Sequence, residues 1–94
     1  MEIKVGTLVV AKLASGNKRL GIVYEKLGIQ DQITEETVWW VVCHPNGTHQ
    51  PIDETDLKAI AYLDEEELKL LRKDKISPAQ ALLAHLQDII VLLF

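Results

Sequence analysis

Four side chains capable of metal binding or catalysis lie close together in the middle of this 94-residue chain. They are Cys43, His44, His49 and Asp53. Thiolate, imidazole and carboxylate groups are zinc ligands, and a thiol beside an imidazole can act as a nucleophile with its base. A structural zinc site takes four ligands, commonly in closely spaced pairs, and the single Cys43-His44 step supplies only half of such a site. We therefore expect no metal or cofactor here and no enzymatic activity, with a site centred on Cys43 and His49 as the alternative.

The elements that would position these residues are short strands. Val, Trp and Thr are typical of half-buried strands, and clusters of Gly, Asn, Ser and Pro separate such segments along the first two-thirds of the chain. The predicted strands are 7–13, 19–26, 37–43, 48–52 and 58–63. Pro45-Asn46-Gly47 predicts a tight hairpin turn, since proline and glycine suit its corners. Segment 27–36 is predicted to be a surface loop, Gly21 to mark a bend or bulge, and 53–57 to form one helical turn.

The last third of the chain has helical features. Asp64 and Glu67 have capping-box spacing, which predicts a helix ending near residue 73. Ser77, Pro78 and Gln80 combine a cap, a first-turn proline and a capping-box partner, and they predict the start of a second helix. The apolar face of that helix comprises Leu82, Leu86, Ile89, Ile90 and Leu93. We expect a mainly β domain over 1–63 and two C-terminal α-helices over 64–94, which either complete that domain or form an interface.

This order of elements resembles that of the SH3-like small β-barrels, a superfamily that includes Tudor and KOW-type modules. The residues that carry the resemblance are Val5-Gly6 before Val9-Val10-Ala11-Lys12, Arg19 with Gly21-Ile22-Val23, segment 38–42, the turn at 45–47, and Ile52 with Asp56-Leu57. The resemblance covers roughly residues 3–62. It implies a five-stranded SH3-like barrel followed by the two helices, and it implies no particular ligand.

Two ligand classes of that superfamily can be compared with the sequence. Tudor modules that read methylated side chains use an aromatic cage at the loop end of the barrel, and neither 14–18 nor 44–47 contains an aromatic residue. KOW-type modules bind RNA or ribosomal protein through basic loops. Here residues 31–67 carry ten acidic side chains and one basic side chain, and the net charge of the full chain is −4. An acidic surface repels phosphate, so we expect nucleic acid to be an improbable partner.

Basic residues are concentrated instead in the first 30 positions. This N-terminal strip is the alternative surface for nucleic acid. It consists of Lys4, Lys12, Lys18, Arg19 and Lys26. Salt dependence of binding would distinguish this alternative from a protein-binding function.

The adjacent pair Trp39-Trp40 predicts a second apolar surface. Neighbours in a strand point to opposite faces, so one of these indoles must lie outside the core formed by the other. That indole is either covered by the C-terminal helices or, together with Tyr24, offered to a partner, as aromatic residues often are at interfaces.

The C-terminal segment is apolar almost all round. Its candidate contact residues are Leu86, Ile90, Leu93 and Phe94. A helix without a polar face must be buried, either on its own sheet or against another chain, in a homo-oligomer or a larger complex.

The function predicted from these features is a non-catalytic protein–protein interaction module, or a small subunit of a larger complex. No apolar run reaches the roughly 18 residues that span a bilayer. A single cysteine favours a reducing compartment, so the cytoplasm is the expected location.

Overall fold

The computed structural model describes residues 2–29, 37–44, 47–85, 87 and 90. Five strands are followed by two helices, which confirms the mainly β prediction with a helical C-terminal part. The strands are β1 (Thr7–Lys12), β2 (Lys18–Ile29), β3 (Thr37–Cys43), β4 (Thr48–Asp53) and β5 (Leu57–Tyr62). The helices are α1 (Glu65–Arg72) and α2 (Pro78–Ala84). A short 3-10 helix, Glu54–Asp56, precedes β5 in the predicted position.

The five strands form one antiparallel sheet in the order β4-β3-β2-β1-β5. Within the described part of the chain the sheet is open, because no ladder joins the edge strands β4 and β5. Pro51 lies in β4 opposite Trp40. Proline has no backbone N–H to donate, and an edge strand tolerates it better than a central strand does.

Strand β2 is longer than the sequence indicates. The prediction of a surface loop from residue 27 is wrong over 27–29, because Gly28 and Ile29 continue the ladder opposite Val38 and Thr37. Pairing with the start of β3 satisfies backbone groups that a loop would leave to solvent, and this outweighs the weak strand propensity of glycine. The rest of the predicted loop, residues 30–36, lies outside the described residues.

Gly21 has a different role from the predicted one. The register is continuous at Gly21 on both sides, and the irregularities in β2 fall between Val23 and Glu25 and between Lys26 and Gly28. A Cβ atom at Gly21 would lie 2.8 Å from Cγ1 of Val41. Glycine is therefore present here because β3 approaches too closely for any side chain, and not because the strand bends at this residue.

Both faces of the sheet are apolar. The helix-side core contains Leu8, Ile22, Ile60, Leu63, Leu71, Ala81 and Leu82. The opposite core contains Val9, Ala11, Val23, Trp39, Val41, Cys43 and Ile52. Because side chains alternate along a strand, β1 supplies neighbouring residues to different cores. The helices share the first of these cores with the sheet.

The predicted capping residues start both helices. In α1 the Asp64 carboxylate accepts from the Glu67 N–H, and the Glu67 carboxylate accepts from the Asp64 N–H. In α2 Ser77 and Gln80 make the equivalent pair, with Pro78 in the first turn. Of the predicted apolar face of α2, Leu82 is buried. Leu86, Ile89 and Leu93 lie outside the described residues.

Polar contacts fix the helices to each other and to the sheet. His85 Nε2 lies 3.1 Å from a Glu67 carboxylate oxygen, which joins the end of α2 to the first turn of α1. The Tyr24 hydroxyl donates to the Leu71 carbonyl at 3.2 Å, and the Arg72 guanidinium donates to the Tyr24 carbonyl at 3.3 Å. These contacts hold the end of α1 above the middle of β2.

Candidate functional site

The four residues with metal-binding chemistry are not brought together. Cys43 ends β3 in the opposite core, whereas His49 pairs with Val42 and therefore lies on the helix-side face. Asp53 caps the 3-10 helix, where its carboxylate accepts from the N–H and the hydroxyl of Thr55 and its pKa is lowered by those bonds. Among the described residues no group of three His, Cys, Asp or Glu side chains could hold a metal ion.

The predicted hairpin is the reason for this separation. The Gly47 N–H donates to the Cys43 carbonyl at 2.8 Å, and Cys43 pairs with Thr48. Gly47 has a positive φ of 66°, which suits glycine. Pro45 and Asn46 lie outside the described residues. A tight hairpin places Cys43 and His49 one register step apart, on opposite faces.

Cys43 is a buried thiol and not an activated nucleophile. Its side chain is 3% exposed. Burial raises its pKa above the ordinary value of 9.0, and the nearby positive charge of Arg19 offsets part of that rise. A protonated thiol is a poor nucleophile, because the thiolate is the reactive form.

We expect iodoacetamide at pH 7.5 to alkylate Cys43 at least about tenfold more slowly in the folded chain than in urea, because both the pKa and the access to the sulfur disfavour reaction. The rate in the folded chain should rise with pH beyond the ordinary thiol pKa of 9.0. Mass spectrometry of quenched samples measures both rates. Equal rates in folded and unfolded protein would contradict this assignment.

Trp39 and Trp40 point to opposite faces, as alternation predicts. Trp39 is 7% exposed and packs in the opposite core, with the Lys26 ammonium 5.9 Å from its ring centroid. Trp40 is half-buried and stacks on His49, with ring centroids 5.7 Å apart and planes 23° apart. Of the two candidate contact residues, only Trp40 is therefore available at the surface.

Three rings form a continuous aromatic row on the helix-side face. His49 lies between Trp40 and Tyr24. The Tyr24 ring meets the His49 ring edge-on, with the ring centroids 5.7 Å apart. The sequence indicates Tyr24 and Trp40 as surface contact residues, but it indicates His49 only as a possible metal ligand. Its pairing with Val42, two positions from Trp40, is the signal that could have placed it in this row.

A groove of about 460 Å³ opens between two rings of the aromatic row, Tyr24 and His49, and the link from α1 to α2. Trp40 does not line this groove. Its sheet wall includes Tyr24, Val42 and His49, and its helical wall includes Leu71, Ile76 and Pro78. Since the Tyr24 hydroxyl already donates to Leu71, this tyrosine offers its ring rather than its hydroxyl. The groove is thus an apolar cleft between two layers, the usual place for a ligand site.

Polar groups lie on the helical rim of this groove. Asp74, Lys75 and Gln80 line it, and Asp74 and Lys75 are exposed. Asp74 has a φ of 57°, and the Lys75 N–H donates to the Leu70 carbonyl at 2.8 Å, so the link ends α1 in a tight turn. An aspartate tolerates this left-handed conformation better than most residues.

The remaining candidate contact residues belong to the C-terminal segment. Ile90 is 44% exposed and Leu83 of α2 is 64% exposed. Leu86, Leu93 and Phe94 lie outside the described residues. Helix α2 and the C-terminal segment therefore each present an aliphatic side chain to solvent.

The five basic residues of the N-terminal strip do not form one surface. The Lys4 ammonium lies 4.4 Å from the Tyr62 ring centroid, and Lys26 lies over Trp39. Arg19 lines a small depression with Cys43 and His44. Lys12 and Lys18 share a different depression, which none of the other three lines.

Comparison with protein-family models, with curated proteins and with solved structures gave no match for this chain. No described helix is both long enough and apolar enough to cross a membrane.

Proposed function

We propose that this chain is a non-catalytic protein-interaction module that holds an extended segment of a partner protein in the groove beside the aromatic row. The observation that carries the proposal is the groove of about 460 Å³ between the sheet and the α1–α2 link. It has the volume of a site for one or two side chains, within the range usual for ligand pockets.

Two rings of the aromatic row, Tyr24 and His49, line this groove and give it the chemistry of a protein interface. Tyr24, His49 and Trp40 present ring faces and edges with little conformational freedom, since ring contacts already orient all three. Aromatic anchors dominate the energetics of protein interfaces, and rigid anchors lose little entropy on binding. Asp74 and Lys75 on the rim would orient the partner's backbone or polar side chains.

The shape of the domain is the second support for the proposal. Five antiparallel strands with a 3-10 helix before the last strand have the element order of the SH3-like barrels that the sequence resembles. We propose that the chain is a member of that architecture, extended by helices that build one wall of the groove. Fold alone does not transfer a ligand, so the groove carries the functional argument.

The test is selection of random peptides of about 12 residues displayed on phage, followed by titration of the best synthetic peptide. We expect His49→Ala to weaken binding about tenfold or more, as removal of an aromatic anchor does. Trp40→Ala should weaken it less, because Trp40 stacks on His49 from outside the groove. His44→Ala is the matched control, since this histidine flanks the same hairpin and lines a different depression.

Two results would count against the groove. Selected peptides that bind His49→Ala and the parent chain equally would place the interaction elsewhere. Loss of binding by His44→Ala to the same extent would indicate damage to the hairpin. Thermal melts of each variant separate lost contacts from lost folding, since His49 is exposed and its removal should change the melting temperature little.

A second candidate is self-association through the C-terminal segment. It is favoured by the exposure of Leu83 and Ile90, two large aliphatic side chains that a second copy of the chain could cover. Light scattering behind size exclusion distinguishes the two functions. A dimer that becomes a monomer in Leu83→Glu would favour self-association, and a monomer that retains peptide binding would favour the groove.

A further inference from the structure

Three lysines share one face of the sheet at the end of β1. Lys12 lies directly opposite Lys18 on β2, and Lys58 on β5 lies opposite Val10. Val10 and Lys12 are two positions apart on one strand, so all three lysines point to the same face. We refer to Lys12, Lys18 and Lys58 as the lysine trio.

The trio surrounds a depression of about 260 Å³. Thr55 and Asp56, from the 3-10 helix, form its other side. The Thr55 hydroxyl already donates to Asp53 at 2.7 Å, so the three lysines are the side chains of the depression left to bind an anion. Asp56 offsets one of their three positive charges. The depression shares no residue with the groove beside the aromatic row.

The positive charges of the trio are unpaired within the part of the chain that the structure describes. The ion pair found there is His85–Glu67, and no carboxylate oxygen lies within 4.0 Å of the trio's ammonium groups. This is notable in a chain with 14 acidic and 10 basic side chains. Like charges directly opposite each other on a sheet are destabilising, so Lys12 and Lys18 weaken the fold that holds them.

We propose that the lysine trio binds a small ligand that carries two or more phosphate groups. Ammonium groups are compact donors that bind phosphate oxygens through charge-assisted hydrogen bonds, and three of them at one rim match more than one phosphate. A long nucleic acid fits less well, because the net charge of −4 and the acidic residues of 31–67 repel an extended polyanion. The ligand relieves the Lys12–Lys18 repulsion that the free chain carries.

The test is a titration of the full chain, labelled with ¹⁵N, with inorganic pyrophosphate at low salt. We expect saturable shifts centred on the amides of Lys12, Lys18 and Lys58. Lys18→Gln should weaken binding about tenfold, the effect of losing one charge-assisted hydrogen bond. The matched control is Lys26→Gln, in which the same change is made on the same strand but outside the depression. The affinity of this variant for pyrophosphate should stay within about twofold of that of the parent chain.

A thermal melt supplies a readout that damage to the fold would not produce. Lys18→Gln should raise the melting temperature by about 1–4 °C while it weakens binding, since it removes a like-charge pair. Lys26→Gln should not raise it. Opposite changes in stability and affinity are expected of a residue retained for its ligand.

Several outcomes would overturn the proposal. Absence of saturable binding, or an equal loss of affinity in Lys26→Gln, would show that the trio is not a site. Sulfate binding as tightly as pyrophosphate would remove the preference for phosphate. A single-stranded oligonucleotide that binds more tightly than pyrophosphate, with a steep salt dependence, would replace the small ligand by nucleic acid.

Discussion

Leu71→Ala should lower the free energy of unfolding by about 2–5 kcal/mol, the usual cost of removing a buried leucine side chain from a core. Leu71 is 2% exposed and is the buried residue that α1 contributes to the helix-side core. The loss is a large fraction of the roughly 5–15 kcal/mol that stabilises a domain of this size. Urea denaturation followed by tryptophan fluorescence measures it.

The adjacent residue provides the control for this substitution. Leu70 is in the same helix and 38% exposed, so Leu70→Ala should cost less than about 1 kcal/mol. Equal costs for the two changes would contradict the packing of α1 on the sheet. Because Leu71 also lines the groove, its loss should weaken peptide binding as well, whereas Leu70→Ala should not.

Gly21→Ala should destabilise the fold by about 3 kcal/mol, the upper part of the range for overpacking a filled core. A Cβ atom there would lie 2.8 Å from Val41 Cγ1 and 3.0 Å from the Val42 carbonyl oxygen. The second contact is with backbone, which cannot rotate away as a side chain can. Strands β2 and β3 would have to separate, and urea denaturation would record the loss.

Gly16→Ala is the control for Gly21→Ala, because it introduces backbone strain without steric overlap. Gly16 has a φ of 87° and no atom within 4 Å of a Cβ at its position, so the cost should be about 1 kcal/mol, from conformation alone. In a Val41→Ala background the cost of Gly21→Ala should fall by about 1 kcal/mol, because one of the two close contacts is gone. A Gly21→Ala variant as stable as the parent would contradict the close approach of the strands.

The elements that the sequence predicts best are those with local causes. Both capping boxes, at Asp64 and Ser77, depend on residues three positions apart, and both helices begin at the predicted places. The hairpin after Cys43 depends on consecutive turn residues. In these cases the physical cause and the sequence signal occupy the same few positions.

The features that sequence reasoning missed depend on contacts between distant residues. The role of Gly21 is set by Val41 on the neighbouring strand, and the extension of β2 to Ile29 is set by pairing with Thr37. Glycine in a strand is compatible with a bulge, a bend or a close approach, and local sequence does not choose among them.

The candidate site was predictable only in part, for the same reason. Alternation places Trp39 and Trp40 on opposite faces, but which of them is buried depends on how the two cores fill. The groove depends on the separation between the α1–α2 link and His49. That separation is fixed by Leu71 of the helical layer and by its hydrogen bond with Tyr24 of the sheet. The lysine trio likewise joins three strands whose pairing determines that the charges meet.

The sharing of β1 between two cores has a consequence for the motions of the domain. Leu8 and Val9 are neighbours, both 0% exposed, and each belongs to a different core. β1 is also paired on both sides, with β2 and β5. Its amide protons can therefore exchange with solvent only when both layers open together. β1 should be among the slowest-exchanging strands, together with β2, whose neighbours Ile22 and Val23 also belong to different cores. The exchange rate of β1 should report the global stability of the whole domain.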